Sequence, residues 1–298
     1  MKQIDLHIHT TASDGTFTSE EAARYAAEKG LAAIAITDHD TAAGAVNAAA
    51  LGAKYGVEVI PGIELSTDYQ NLGVHILGYF IDPQSPALGA VLEWVIEERR
   101  RRNREIIAAM RRDGVDVSRE ALAERFPGTV IGRPHFAAVL VEQGLCQSVD
   151  DAFARYLSPG MRYYRERRYM PVREAFDVIR KAGGKAVFAH PLQYGLPEPE
   201  LLELTRCLTG CGCVGMECLY SGYSKQQSDY LMGLAARFGL CVTGGSDFHG
   251  KRKPNIDMGS GTGELCVPYK LLERLREVKG AESLPGGMPR FTPTSRAN

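Results

Sequence analysis

The sequence predicts an α/β barrel whose strand–helix alternation is interrupted once by an all-helical insertion. Two observations predict it. Short apolar runs alternate with helical stretches over residues 1–81 and again over 163–280, and such alternation buries both faces of a parallel sheet. Between these portions, residues 82–162 show helical periodicity and no strand pattern. With 298 residues, 44% hydrophobic and 24% charged, the chain can bury a large core without disulfides.

Each element has a local reason. Ile4–His9 is an apolar run ending in polar groups and reads as the first strand. Thr18-Ser-Glu-Glu21 is a capping-box start for a helix that Gly30 stops. Leu31–Thr37 is the second strand, followed by an alanine-rich helix to about Tyr55, and Val57–Ile63 and Val74–Phe80 are the third and fourth strands. In the insertion, Leu88–Arg112 is a long arginine-rich helix, with shorter ones near Arg119–Phe126, Pro134–Gln143 and Val149–Leu157. Alternation then resumes: a helix from Val172, strand Lys185–Ala189, helix Glu198–Leu208, strand Val214–Leu219, helix Lys225–Phe238, strand Leu240–Gly245 and helix Tyr269–Val278. Residues 281–298, rich in Pro, Gly, Ser and Thr, read as a loose tail.

Charge and composition exclude several functions. Lys+Arg is 35 and Asp+Glu 36, a formal net charge of −1, which argues against a chain-wide basic surface for duplex DNA. No apolar run reaches the ~18 residues of a membrane span, and MKQIDLHIHT lacks a signal-peptide core. A cytoplasmic location with no membrane partner is the expectation. Seven cysteines fit a reducing compartment, and Cys207, Cys211, Cys213 and Cys218 read as buried thiols.

The histidines carry the chemical signal. His7 and His9 are two apart in the first strand, so their side chains share a face. His39 follows the second strand, Glu64 the third, His75 begins the fourth, His190 follows the fifth, and Asp247 and His249 follow the last; Asp14 follows the first. In a parallel barrel these strand ends converge on one rim. A lone histidine at a strand end is usually a satisfied polar residue. Six imidazoles with three carboxylates reverse that expectation, because neutral imidazole and carboxylate are ligands for zinc, manganese or iron. Nine candidates exceed what one tetrahedral ion needs and suit two or three divalent ions, Mn²⁺, Zn²⁺ or Fe²⁺ before Mg²⁺. Asp38 and Asp40 are weaker candidates; Asp40 fits an imidazole-orienting role or a loop cap equally well.

His7-Ile-His9, Asp14-Gly15, Thr37-Asp-His39, Gly62-Ile-Glu64, His75, Ala189-His-Pro191 and Ser246-Asp-Phe-His249 resemble the polymerase-and-histidinol-phosphatase (PHP) family. The resemblance implies a distorted seven-stranded barrel and a trinuclear centre that hydrolyses phosphate esters, with a metal-bridging hydroxide as nucleophile. It also implies that His7, His9, Glu64 and Asp247 hold one ion, Glu64, His75 and His190 a second, and Asp14, His39 and His249 a third, with Asp247, His249 and Glu64 closest to the chemistry. Ion charge in excess of the three carboxylates favours a dianionic phosphate monoester independently.

The insertion is the place for substrate choice. Gly132-Arg-Pro-His-Phe-Ala137 opens a helix, and Arg133 and His135 beside its N-terminus can grip a phosphate. This run resembles the PHP subgroup of nucleoside 3′,5′-bisphosphate phosphatases, whose related members trim short RNA from the 5′ end. The expected substrate is therefore a small phosphorylated nucleotide, with short 5′-phosphorylated RNA as an extension. Histidinol-phosphate phosphatase and a non-catalytic nucleic-acid-binding module are the alternatives. Tyr164 can stack on a base and Arg165, Arg167 or Arg168 can meet phosphate. The arginines of Arg99–Arg112 point in several directions on a helix and read as a solvated face. Gly244-Gly245 is expected to let the last loop approach the metals.

Overall fold

The computed structural model describes residues 2–278; the expected tail at 281–298 lies outside the described residues. Its strands are β1 (Gln3–Ile8), β2 (Ala33–Ile36), β3 (Glu58–Tyr69), β4 (Leu72–Tyr79), β5 (Met170–Pro171), β6 (Lys185–Phe188), β7 (Gly215–Tyr220), β8 (Cys241–Gly245) and β9 (Val267–Pro268). They form one curled sheet in the order β8-β7-β6-β4-β3-β2-β1-β9, with β5 paired to β3. The ends of β1 and β8 meet where His9 N–H donates to the Phe248 carbonyl (2.9 Å) and Asp247 N–H to that of His7 (2.8 Å). The barrel is thereby nearly closed.

The sheet is not wholly parallel, as the alternation had suggested. β3 and β4 pair antiparallel from Gly62↔Tyr79 to Tyr69↔Leu72, and β4 pairs antiparallel with β6. Gln70 and Asn71 between them have φ of 52° and 67°, the double left-handed conformation of a two-residue hairpin turn. So short a loop can only reverse the chain, because a parallel neighbour needs a crossover of a dozen residues or more. Glu64 and His75 therefore lie within strands that run on through the barrel mouth instead of at their ends.

The helices follow their sequence signals closely. α1 (Ser19–Glu28) carries the Thr18–Glu21 capping box. α2 (Ala48–Tyr55) is shorter than expected, its first part being a 3₁₀ turn at Ala43–Ala45. Between β4 and β5 lie α3 (Pro86–Arg112), α4 (Arg119–Arg125), α5 (Arg133–Glu142) and α6 (Val149–Ala152). These pack on a cluster of their own that includes Ile106, Met110, Phe136, Leu140 and Leu157. α7 (Val172–Lys181), α8 (Glu198–Gly210), α9 (Lys225–Arg237) and α10 (Lys270–Glu277) complete the described chain. The apolar barrel interior includes Ile4, Leu6, Ile60, Leu77, Tyr79 and Val187. The seven cysteines are free thiols, of which Cys146, Cys213 and Cys218 are buried. Among the described residues no helix is long and apolar enough to cross a membrane.

Candidate metal centre

All nine residues singled out by the sequence converge at one barrel mouth. Glu64 is the hub and is fully buried. Its Oε2 lies 3.3 Å from His7 Nε2, 3.3 Å from His9 Nε2 and 3.0 Å from His39 Nδ1. Its Oε1 lies 2.8 Å from His75 Nδ1 and 2.9 Å from His190 Nε2. Asp247 Oδ1 sits 3.1 Å from His9 Nε2 and 3.6 Å from His7 Nε2. Asp14 Oδ1 sits 3.3 Å from His249 Nε2 and 3.8 Å from His9 Nδ1.

These contacts are short, yet many of their atoms make no hydrogen bond. His7 Nε2, both nitrogens of His9, His39 Nδ1, His75 Nδ1, Asp14 Oδ1 and Glu64 Oε2 are buried without a partner. Buried polar atoms are rarely orphaned, and a group of them in one place calls for an ion. The donor set fits: His9, Asp14, His39 and His249; His7, His9 and Glu64; and His39, Glu64 and His75 each place ligand atoms within 4.8 Å of one another. Mixed imidazole and carboxylate donors suit borderline transition metals.

The carboxylates are tuned to stay ionised. Burial alone would raise Asp14, Glu64 and Asp247, but the facing imidazoles and Lys253 outweigh it. His249 and His39 hold Asp14 well below the usual carboxylate range, His39 and His75 do so for Glu64, and Lys253 and His249 for Asp247. Burial, helped by Lys253 and His9, lowers His249 to about 4. Burial also lowers His75, beyond what Glu64 restores.

The supporting layer was not anticipated. Glu217, central in β7, receives His7 Nδ1 at 2.9 Å and accepts the His190 N–H at 2.8 Å. It fixes the ring whose other nitrogen points at Glu64. Its signal was a lone glutamate inside a strand that is otherwise apolar. Tyr220 and Lys253 donate to Asp247 Oδ2 at 2.7 and 2.6 Å. Asp38 accepts from Thr10 N–H, Thr10 Oγ1 and Ser13 Oγ at 2.5–2.7 Å, which staples the loop bearing Asp14. Asp40, His190 and Asp247 hold φ of 54°, 28° and 58°, strain of the kind that collects at functional sites. Gly245 has no room for a side chain, since a Cβ there would lie 2.4 Å from the His7 backbone nitrogen; the close approach it permits is of β8 to β1.

Opposite the imidazoles stands a wall of arginines. A cavity of about 140 Å³ lies between them, lined by Asp14, His39, Ser66 and His75 on one side and by Arg99, Arg102, Arg133 and Arg167 on the other. Arg99 and Arg102 correct the reading of the arginine run as a solvated face. They are buried because they fall on the apolar stripe of α3 with Leu88, Val95, Ile106 and Met110. Arg100, Arg101 and Arg104 do face outward, pairing with Glu97, Glu98 and Glu105. Asp40 neither orients an imidazole nor caps its loop. It accepts from Arg99 Nε and Arg167 Nη2, both at 2.9 Å, and from Ser66 N–H at 2.8 Å. Burial would raise this carboxyl, but Arg99 and Arg167 hold it far below its ordinary value. Arg102 Nη2 is buried with no partner.

The expected phosphate residues divide. Arg133 does line the cavity, held by the Leu157 carbonyl (3.2 Å) between the rings of Phe153 and Tyr164 at 5.6 and 5.5 Å. His135 does not. It is fully buried against Phe126, and its Nδ1 accepts the Gly132 N–H at 2.9 Å, so it serves the helix start. Tyr164 supports Arg133 from behind. Arg165 turns back onto the carbonyls of Arg162 and Tyr164, whereas Arg167 lines the cavity.

Comparison with known proteins agrees with this geometry. The sequence pattern of the PHP domain matches residues 5–138. A 3′,5′-nucleoside bisphosphate phosphatase of Chromobacterium violaceum is 34% identical, over 87% of this chain and 91% of its own. The 5′-3′ exoribonuclease Rnm of Escherichia coli is 35% identical, over 86% of this chain and 87% of its own. A solved structure from Bifidobacterium adolescentis, described as a metal-dependent phosphoesterase, superposes with a TM-score of 0.82 at 30% identity, covering 92% of this chain and 95% of its own. With the full imidazole and carboxylate set gathered at the mouth of a distorted barrel, the chain belongs to the PHP family of metal-dependent phosphoesterases.

Proposed function

We propose that the chain removes the 3′-phosphate from nucleoside 3′,5′-bisphosphates and acts more weakly on short 5′-phosphorylated RNA. The observation that carries this is the meeting of orphaned ligand atoms and arginines around one small cavity. In this reading His7, His9, Asp14, His39, Glu64, His75, His190, Asp247 and His249 hold two or three divalent ions, with manganese the first candidate, and residues 82–162 cap the barrel. Bound there, the ions would supply Lewis acidity and an activated water at neutral pH. The chain's own residues do the rest. Asp247, Glu64 and His249 would hold the ions on the side that faces the reacting phosphate. Asp40 neutralises part of the arginine wall and leaves Arg102 and Arg133 as donors for a second phosphate of the substrate. A compound with two phosphates is thus gripped at one and cut at the other, which the names of the two relatives support.

The test is phosphate release with Mn²⁺ from adenosine 3′,5′-bisphosphate, histidinol phosphate and a 5′-phosphorylated tetraribonucleotide, before and after chelation. The bisphosphate is expected to have the highest kcat/KM and to lose turnover with the metal. Faster hydrolysis of histidinol phosphate would overturn the substrate, and turnover that survives chelation would overturn the metal centre.

A further inference from the structure

The cavity at the barrel mouth has two phosphates and the sugar between them to hold, and about 140 Å³ leaves no room for a nucleobase as well. The base must leave it. A second, open groove of about 560 Å³ adjoins the cavity and shares Arg167 and Tyr169 with it. That volume falls in the roughly 300–1,000 Å³ range of ligand clefts. Its walls include Trp94, from the outer surface of α3, with Arg168, Asp68 and Glu174.

The geometry points to this groove as a nucleobase platform, with Trp94 and Tyr169 as its stacking surfaces; the inference rests on the nucleotide reading above. Trp94 is the chain's single tryptophan and is 39% exposed, although large apolar side chains on this protein are mostly covered. Tyr169 is held in place: the Arg167 guanidinium lies 4.4 Å from its ring centre, while Arg167 is itself tied to Asp40. Flat aromatic rings beside cations are what bases stack on, whatever their identity. Asp68 and Glu174 make the groove unsuited to a further phosphate, but as acceptors they suit the N–H edges of a base. The apolar groove on the other side of α3, around Ile96, Ile107 and Leu122, has no aromatic ring among its lining residues.

Because Trp94 is alone, all indole emission reports this site. Adenosine 5′-monophosphate, added to the manganese-loaded protein, is expected to quench emission excited at the red edge, and ribose 5-phosphate is expected to leave it unchanged. Trp94→Ala should raise KM for adenosine 3′,5′-bisphosphate roughly tenfold, leave glycerol 2-phosphate untouched, and be largely rescued by Trp94→Phe. The platform is overturned if adenosine 5′-monophosphate inhibits competitively without changing emission. It is equally overturned if Trp94→Ala alters base-bearing and base-free esters alike. Failure of the phosphatase reading looks different: the unsubstituted enzyme would hydrolyse neither ester, and quenching by the mononucleotide alone would still report the platform.

Discussion

The imidazole–carboxylate wall and the arginine wall face each other across one small cavity, yet they are assembled in different ways. The first is contributed by the barrel's strands and the loops that follow them, each supplying one or two ligands at a position fixed by the sheet. The second comes from one stripe of α3, the segment returning from the insertion, and the start of α5. The barrel wall is rigid because closing the sheet fixes it. The arginine wall is rigid because Asp40, a barrel residue, reaches across and binds Arg99 and Arg167 at once. Chemistry belonging to the fold and chemistry belonging to the insertion are thus joined through one carboxylate.

The division predicts separable effects. The largest belongs to the barrel wall. Asp247→Asn keeps the shape but removes a charge that faces His7 and His9, and kcat should fall by about 10³-fold or more, with metal content by elemental analysis falling in step. Full turnover in the variant would detach Asp247 from the chemistry. Next is the layer behind. Glu217→Gln frees the His7 ring and should weaken metal affinity by roughly 10–100-fold, read as the Mn²⁺ concentration for half-maximal activity, while kcat at saturating metal changes little. An unchanged metal titration would show that closure of the sheet alone orients His7.

Legibility in the sequence splits along the same line. Every ligand candidate was visible because His7-Ile-His9, Ser246-Asp-Phe-His249 and the others are short motifs in or beside strands, where local spacing dictates which way side chains point. The antiparallel turn of β4 was not seen, since Gln70-Asn71 is a less emphatic hairpin signal than Asn-Gly. Arg99 and Arg102 were missed among identical neighbours. Their signal was present nonetheless: Leu88, Val95, Arg99, Arg102, Ile106 and Met110 form one continuous helical stripe. Charge was read before phase. Glu217 was missed because its partners, His7 and His190, are 210 and 27 residues away.

The arginine wall gives smaller effects, read in KM. Arg102→Ala removes a buried, cavity-lining guanidinium that has an unpartnered nitrogen, and a charge-assisted hydrogen bond is worth about 1.5–3 kcal/mol. KM for the bisphosphate should rise roughly 10–100-fold with kcat within a fewfold. A monophosphate such as glycerol 2-phosphate should be nearly indifferent. Equal losses on both compounds would mean that Arg102 shapes the cavity without holding the second phosphate.

His135 lies behind both walls, and its prediction is the smallest. Burial, assisted by Arg252, lowers it to about 4, against an ordinary value near 6.5. The unfolded chain therefore takes up this proton first as pH falls. Above 6.5 both states are neutral and the residue is silent. Between 6.5 and 4 it erodes stability progressively, by roughly 3 kcal/mol in total, and below 4 the loss is complete. His135→Gln should flatten the decline of Tm across that window relative to the unsubstituted protein, whatever constant offset follows from the altered helix start. The comparison also separates the two places the residue can occupy. A histidine gripping phosphate would have its proton stabilised by the anion, so added phosphate would flatten the unsubstituted protein's profile selectively. A histidine buried behind Gly132 and Phe126 leaves the difference between the two slopes the same with and without phosphate.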